Sequence, residues 1–251
     1  MNMKSLIALT ALTAAGAASA TVTSANTLCR IEIASGTKNT IVAVPLVKVG
    51  SGDAIPANEL VLTDNLSEGD KLLHYNTSSS KWEAWRVTSG AWVGVIISDQ
   101  NFTSIAGDAN VLLTRGDAVW VEREQVKGSF YIYGQVASGS ATMPAIARSS
   151  DASTYIMMGN TNLQDVAIGS LTFNGTPVTG DKIAVPVSTG LGVKEYTYNG
   201  SNWTKVGWTM EGGEGGVLTP SVTATTESDV IPAGQGFWYV AKQSAAQQGE
   251  Y

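Results

Sequence analysis

Short apolar or alternating segments, separated by turn residues, form the main pattern of this chain. Thr40–Val44 is rich in β-branched residues, and Phe130–Tyr133 alternates as a strand does. Glu195–Tyr198 and Trp203–Val206 flank Asn199-Gly200, which supplies the positive-φ positions of a tight hairpin. Beyond the N-terminal segment, no stretch sustains helical spacing of apolar residues over three turns. The pattern therefore predicts an all-β fold of short antiparallel strands.

Two further hairpins are predicted, one between Tyr75-Asn76 and Lys81-Trp82 and one at Asn174-Gly175. Three landmarks also occur twice in the same order, which indicates an internal duplication. The matches are Gly69–Leu72 with Gly180–Ile183 at 111 residues, Tyr75-Asn76…Trp82 with Tyr198-Asn199…Trp203 at 121 to 123, and Gly116–Val121 with Gly234–Tyr239 at 118. Asp70 and Asp181, which recur beside the first landmark, are predicted to bond their side chains to backbone amides in turns.

The duplication predicts two tandem related modules, each a sandwich or a barrel-like unit. Their predicted bounds are residues 21–136 and 154–251, and the Ala/Ser-rich segment 137–153 is interpreted as a linker between them. Loop insertions between fixed strands would account for the changing separations of the matched landmarks.

Residues 1–20 have the pattern of a secretory signal peptide. Lys4 gives a positive start, a short apolar run follows, and Ala18-Ser19-Ala20 has the small-x-small form that signal peptidase accepts. The run is shorter than the roughly 20 apolar residues that span a bilayer. We expect an exported protein in the periplasm, on the cell surface or outside the cell, with no stable membrane insertion after cleavage.

Composition narrows the range of partners. Charged residues make up 14% of the 251 residues, and the formal net charge is −6. No dense Lys/Arg cluster is present to grip phosphates, so nucleic acid is not an expected partner. Cys29 is the single cysteine, so the fold is expected to hold without an internal disulfide.

The inventory of reactive side chains predicts no catalytic or metal site and no cofactor. His74 is the single histidine, which rules out a multi-histidine zinc site, and it has no nucleophile-elbow sequence near it. A hydrolase that uses two carboxylates remains an alternative. Its candidate acids share no motif, and they are Glu83, Asp117, Glu122, Glu195 and Glu211.

The seven tryptophans are the most suggestive feature for ligand binding. Trp120 and Trp238, in matched apolar strands, are interpreted as core residues. Trp82 and Trp203 adjoin turns and are followed by polar residues, so they are the better candidates for exposure and for stacking on a sugar ring. With Tyr75 and Tyr198 they form the predicted ligand-binding set.

Pro232-Ala233-Gly234-Gln235-Gly236-Phe237-Trp238 resembles the closing strand of uncharacterised exported bacterial β-repeat proteins, whose modules end in Pro-x-Gly-x-Gly-Phe-Trp. The first copy departs from this pattern, because Thr114–Trp120 lacks the proline, the second glycine and the phenylalanine. The resemblance implies export and a β-fold, and it implies no activity.

Three functions are thus open. The first is a non-enzymatic structural or interaction protein of the cell surface or periplasm, with a surface glycan or an envelope protein as partner. The second is a glycan-binding module that uses exposed Trp and Tyr rings. The third is the carboxylate-based hydrolase.

Overall fold

The computed structural model describes residues 27–33, 38–50, 54–77, 79, 81–98, 103–108, 110–125, 128–137, 141–186, 193–211, 217–225 and 229–244. The predicted signal peptide, residues 1–20, lies outside the described residues. Within them the chain is predominantly β, with one four-residue α-helix and one short 3-10 helix. The all-β prediction is therefore confirmed.

The strands are short and follow one another closely along the chain. In chain order they are β1 (Leu28–Ile33), β2 (Asn39–Ala43), β3 (Ala54–Pro56), β4 (Val61–Leu62), β5 (Lys71–Asn76), β6 (Lys81–Thr88), β7 (Ala91–Gly94), β8 (Ser104–Ala106), β9 (Leu112–Thr114), β10 (Ala118–Glu122), β11 (Phe130–Gln135), β12 (Thr154–Gly159), β13 (Val166–Ala167), β14 (Lys182–Pro186), β15 (Val193–Tyr198), β16 (Trp203–Glu211), β17 (Val217–Thr225), β18 (Val230–Ile231) and β19 (Gly236–Ala241). The α-helix, α1, is Ala57–Leu60, and the 3-10 helix is Ile168–Ser170.

Two six-stranded sheets dominate the fold. The first has the order β2-β10-β5-β6-β7, with β8 added in parallel to β6, and the second has the order β12-β19-β14-β15-β16-β17. A three-stranded sheet, β1-β11-β4, and the pairs β3-β9 and β13-β18 complete the pairing. Among the described residues these sheets are open and none closes on itself, so the barrel-like alternative is not the arrangement of this fold.

Each large sheet has its own hydrophobic core. The first core joins the first sheet to the three-stranded sheet, through Trp85 and Val119 on one side and Phe130 and Ile132 on the other. The second core gathers on one face of the second sheet, around Phe237 and Tyr239. Cys29 is half-buried against the first core, and this burial raises the pKa of its thiol.

Two of the three predicted hairpins are confirmed. Tyr75 pairs with Trp82 across β5 and β6, and Tyr198 pairs with Trp203 across β15 and β16. In the second hairpin Gly200 has a φ of 102°, as the Asn-Gly signal predicts. The hairpin expected at Asn174-Gly175 is wrong, because Asn174 instead forms a single parallel bridge to Ala145.

The match between the two Tyr-Asn…Trp landmarks is also corrected by the pairing. Tyr75 and Trp82 lie in the first hairpin after a Gly-Asp-Lys turn, whereas Tyr198 and Trp203 lie in the second hairpin after the other such turn. The two pairs therefore occupy different positions in their sheets.

The turn role predicted for Asp70 and Asp181 is confirmed. Asp70 is fully buried, and its carboxylate accepts hydrogen bonds from the amides of Ser67 (2.9 Å) and Glu124 (2.7 Å). Asp181 is buried in the same way and accepts from the amides of Val178 (2.9 Å) and Lys242 (2.8 Å). Each carboxylate thus connects its own β-turn to the residues that follow one strand of its sheet, β10 for Asp70 and β19 for Asp181.

The segment predicted as a linker is 137–153, and its residues 141–153 include side chains that pack against the second sheet. Met143 is buried in the second core, and Ile146 packs against that core. Arg148 forms a two-pronged ion pair with the buried carboxylate of Asp181, at 2.6 and 2.7 Å. Met143 and Ile146 therefore add to the second core, and Arg148 neutralises the buried carboxylate of Asp181.

The two large sheets meet through their first strands. The amide of Ala43 donates to the carbonyl of Gly234, and the amide of Gly159 donates to the carbonyl of Gly116, both at 2.8 Å. Gly159 allows this approach, because a Cβ at this position would lie 2.5 Å from the Asp117 carbonyl oxygen. Close backbone contact thus fixes one sheet against the other.

A candidate aromatic cleft

Strand alternation places one tryptophan of each large sheet on the face opposite to that sheet's own core. In β19, Phe237 and Tyr239 enter the second core, so Trp238 between them points to the opposite face. In β10, Val119 and Val121 enter the first core, and Trp120 takes the opposite face. The two indoles meet between the sheets, with their ring centroids 6.2 Å apart.

A third cluster of apolar residues surrounds these rings where the sheets meet. Its buried members are Ile41, Ala118 and Met157, and its half-buried members are Tyr75, Trp82, Trp120 and Trp238. Trp120 and Trp238 were interpreted as core residues, and the structure places them at this junction instead. The junction leaves part of each ring open to solvent.

The tip of the β5–β6 hairpin brings two more rings to this junction. The rings of Tyr75 and Trp82 lie 5.2 Å apart, because their residues are paired directly across the two strands. Trp82 in turn contacts Trp238 in a T-shaped geometry with centroids 6.2 Å apart. Tyr155, on β12, also contacts Trp238, with ring centroids 6.5 Å apart. The rings thus form a continuous series from one sheet to the other.

This series of rings lines an open cleft of about 660 Å³, which we call the aromatic cleft. Its lining combines Tyr75, Trp82, Tyr155 and Trp238 with the polar Thr77 and Ser153. Tyr155 is 59% exposed, although most large apolar or aromatic side chains of the described residues are buried or half-buried. An open cleft with partly exposed rings and a few polar groups at its edge suits a ligand that has flat apolar faces.

A second cleft of about 350 Å³ adjoins the first and shares Ser153, Tyr155 and Trp238 with it. We call it the charged cleft, because Lys182, Glu195 and Lys242 line it. Lys182 and Glu195 form an ion pair across β14 and β15, with their Nζ and Oε1 atoms 2.9 Å apart. The two clefts together make a groove that is aromatic at one end and charged at the other.

Asp181 lies next to the charged cleft but is committed to the fold. Burial by itself raises the pKa of its carboxyl, but hydrogen bonds from Arg148, Tyr239 and two backbone amides outweigh burial and lower the pKa to about 2. The hydroxyl of Tyr239 donates to this carboxylate at 2.5 Å, and burial together with this bond raises the pKa of Tyr239. Asp181 is therefore ionised at neutral pH and has no free side for a ligand.

Of the four residues predicted to bind a ligand, the structure brings two to the aromatic cleft. Tyr75 and Trp82 line it. The expectation that Trp203 is exposed is wrong, because its side chain is only 5% exposed in the second core, against Phe173 and Tyr239. Tyr198 packs beside Trp203, with ring centroids 5.2 Å apart, and lies away from the cleft.

Sequence reasoning missed Tyr155 as a cleft residue and assigned Trp238 to a core. The signal that would have found Trp238 is alternation, because Phe237 and Tyr239 flank it in one strand and only one face can enter a given core. The same alternation applies to Tyr155, because Ile156 and Met158 of β12 enter the second core and Tyr155 lies on the opposite face. How far its ring is exposed depends on the sheet junction.

Outside the two clefts, His74 and two of the candidate acids, Glu83 and Glu122, form hydrogen bonds or ion pairs with neighbouring side chains. His74 Nδ1 lies 2.8 Å from Glu83 Oε2, and Asn76 donates to the other oxygen of Glu83. Glu122 pairs with Lys71 at 2.7 Å. Within the described residues there is no group of three His, Cys, Asp or Glu side chains with the spacing of a metal site.

In the described part of the chain, no helix has the length and apolarity needed to cross a membrane. No protein-family model matches the chain, and no curated protein or solved structure is significantly similar to it.

Proposed function

We propose that this chain is an exported, non-enzymatic interaction protein of the cell surface or periplasm, and that the aromatic cleft is its ligand-binding surface. The observation that carries this proposal is the position of Trp238. Its ring contacts Trp82 of the first sheet and Tyr155 of the second, and all three rings line one open cleft. The ligand would therefore span the junction of the two sheets.

A glycan is the ligand class that this cleft fits best. Sugar rings carry apolar C–H faces that stack on aromatic side chains, and hydroxyl groups at their edges that need polar partners. The cleft offers four partly exposed rings, with Thr77 and Ser153 beside them. A peptide segment of an envelope protein is the alternative ligand, and the experiment below separates the two.

A binding role is favoured over hydrolysis by the acids of the groove. Glycoside hydrolysis by the common mechanisms needs two carboxylates, roughly 5 to 10 Å apart, on either side of the bond that is cut. Among the described residues that line the aromatic and charged clefts, Glu195 is the single carboxylate, and it is paired with Lys182. The two clefts thus offer a surface for binding without a pair of facing acids.

The proposal includes a duplicated β-module. Its alignment keeps the separations of 111 and 118 residues found in the sequence and replaces only the match between the two Tyr-Asn…Trp landmarks. Val178, Asp181 and Tyr198 lie 111 residues after Ser67, Asp70 and Val87, and they repeat the same hydrogen bonds. Ala57 donates to the Val111 carbonyl, as Ile168 does to that of Asp229. By this alignment Trp203 corresponds to Trp92, and Trp238 to Trp120.

Export is proposed on the signal-like pattern of residues 1–20 and on the resemblance to exported β-repeat proteins. The test is to express the full chain with its own N-terminus in a bacterial host, and to measure the intact mass of the product in each cell fraction. We expect the periplasmic or secreted product to begin at Thr21. Full-length protein found in the cytoplasm alone would contradict export.

The ligand test is a glycan array, followed by titration calorimetry on each glycan that binds. Tyr155→Ala is the first variant, because this ring is exposed and its loss leaves both cores intact. Trp82→Phe is the second variant, since it keeps an aromatic ring but reduces the stacking area. Tyr133→Ala is the matched control, because it removes a tyrosine ring from β11, outside the cleft.

If the proposal is right, affinity falls about fivefold in Tyr155→Ala, less in Trp82→Phe and not in Tyr133→Ala, since the loss of one aromatic stack costs roughly 1 kcal/mol. Equal loss in the control would place the ligand elsewhere. Failure to bind any glycan would remove the glycan assignment, and the same variants would then be tested for loss of crosslinks to envelope proteins.

A further inference from the structure

We infer that the groove selects a glycan that carries a carboxylate, such as a uronic acid, and that Lys242 binds this group. The inference rests on the proposed glycan-binding function and names the ligand class for the same site. The inference is based on the charged cleft, whose lysines and glutamate take no part in stacking on the aromatic rings. A sugar chain stacked on Tyr155 and Trp238 extends directly into that cleft, because both rings line both clefts.

The charged cleft contains more positive than negative charge. Lys182 and Lys242 are its cations and Glu195 is its single described carboxylate. Glu195 pairs with Lys182 at 2.9 Å, and among the described residues no carboxylate oxygen lies within ion-pair distance of Lys242 Nζ. One cation is therefore left uncompensated beside the aromatic rings.

Asp181, whose carboxylate accepts a hydrogen bond from the backbone of Lys242, cannot balance this cation. The carboxylate of Asp181 is fully buried and is occupied by Arg148, Tyr239 and two backbone amides. In a protein with a net charge of −6, a local positive surplus is a specific place for an anionic group to bind.

The backbone positions Lys242 for this role. Its own amide donates to Asp181 at 2.8 Å, which fixes the start of the side chain. Its stem lies along Gly180, where an added Cβ would come within 2.9 Å of the Lys242 Cδ atom. With no side chain at Gly180, the stem of Lys242 lies against the turn and its ammonium group lies at the edge of the charged cleft.

The test compares acidic oligosaccharides from pectin, hyaluronan and alginate with the methyl esters of the same oligosaccharides. Each ester keeps the stacking faces and loses the charge. Affinities for the exported product are measured by calorimetry at low and high salt. The variants are Lys242→Ala and Glu195→Gln, and Lys48→Ala is the control, since Lys48 is an exposed lysine outside both clefts.

At least one acidic oligosaccharide should bind more tightly than its ester, and salt should reduce the difference. Lys242→Ala should weaken binding of the acid about two- to fivefold, as expected for an exposed ion pair, and leave the ester unchanged. Glu195→Gln should strengthen binding of the acid by a similar factor, because it frees Lys182. Lys48→Ala should change neither affinity.

Equal affinity for acid and ester, or an unchanged preference in Lys242→Ala, would overturn the inference. If neutral glycans still bound and Tyr155→Ala still weakened them, the proposed glycan function would stand without it. If no glycan of either kind bound, the proposed glycan function would fail, and the inference would fail with it.

Discussion

The indole of Trp238 meets the indole of Trp82 in a T-shaped contact, with ring centroids 6.2 Å apart, and this contact joins the two large sheets. The residues are 156 positions apart in sequence, so the contact forms only when both sheets are in place. The same two rings line the aromatic cleft. The side chains that join the two sheets are therefore also the ones at which the proposed ligand would bind.

The first prediction concerns this pair. In a double-mutant cycle, Trp82→Ala and Trp238→Ala should show a coupling free energy of about 0.5 to 1.5 kcal/mol in urea unfolding. Either single variant already removes the contact between the two rings, so the second substitution does not remove it again. The control cycle pairs Trp82→Ala with Trp203→Ala, whose rings lie in different clusters. Additivity in the first cycle would show that the junction contact contributes nothing to stability.

The second prediction compares Trp203, which the sequence suggested for ligand binding, with Tyr155, which the structure places in the aromatic cleft. Trp203→Ala should lower the free energy of unfolding by about 3 to 5 kcal/mol, because it empties a buried site in the second core. Tyr155→Ala should cost less than about 1 kcal/mol, since that ring is 59% exposed. Urea unfolding followed by circular dichroism measures both. A small loss in Trp203→Ala would contradict its buried position.

The third prediction concerns pH. The pKa of Asp181 is about 2 in the folded protein and 3.8 ordinarily. Because the folded value is lower, the carboxylate stabilises the fold fully above about pH 4, and this stabilisation is lost as the pH falls toward 2. The loss is on the order of 2 kcal/mol.

Urea unfolding at a series of pH values between 6 and 2 measures this dependence. Asp181→Asn should lower stability at pH 6 and flatten the decline below pH 4, because the amide does not titrate. Asp151→Asn is the control, since Asp151 is an exposed aspartate outside the Arg148 network. An unchanged acid decline in Asp181→Asn would assign the titration to another group.

The fourth prediction tests the backbone contact between the sheets. Gly159→Ala should destabilise the fold by about 1 to 3 kcal/mol, because the new methyl group would clash with the Asp117 carbonyl and the Ala43 side chain. Thermal unfolding measures the effect, and Thr172→Ala, at an exposed position, serves as the control. A wild-type melting temperature for Gly159→Ala would mean that the sheets separate easily at this point.

The sequence by itself determined the local structure of this protein. Alternation identified the strand at Phe130–Tyr133, which the structure extends to Gln135, and Asn199-Gly200 identified its hairpin. Both were predictable because side-chain period and turn dihedrals are properties of neighbouring residues. The turn roles of Asp70 and Asp181 were predictable for the same reason, since a short carboxylate bonds to amides a few residues away.

Only the tertiary structure decided which faces meet and what they bury. Alternation says that Trp238 and its neighbours face opposite ways, but it does not say which face enters the second core and which meets Trp82. For the same reason Trp203 is buried although polar residues follow it, and Met143, in the segment interpreted as a linker, is buried in the second core. The cleft lies where two sheets that are distant in sequence touch. The free energy of that contact comes from residue pairs far apart in the chain, which no local pattern encodes.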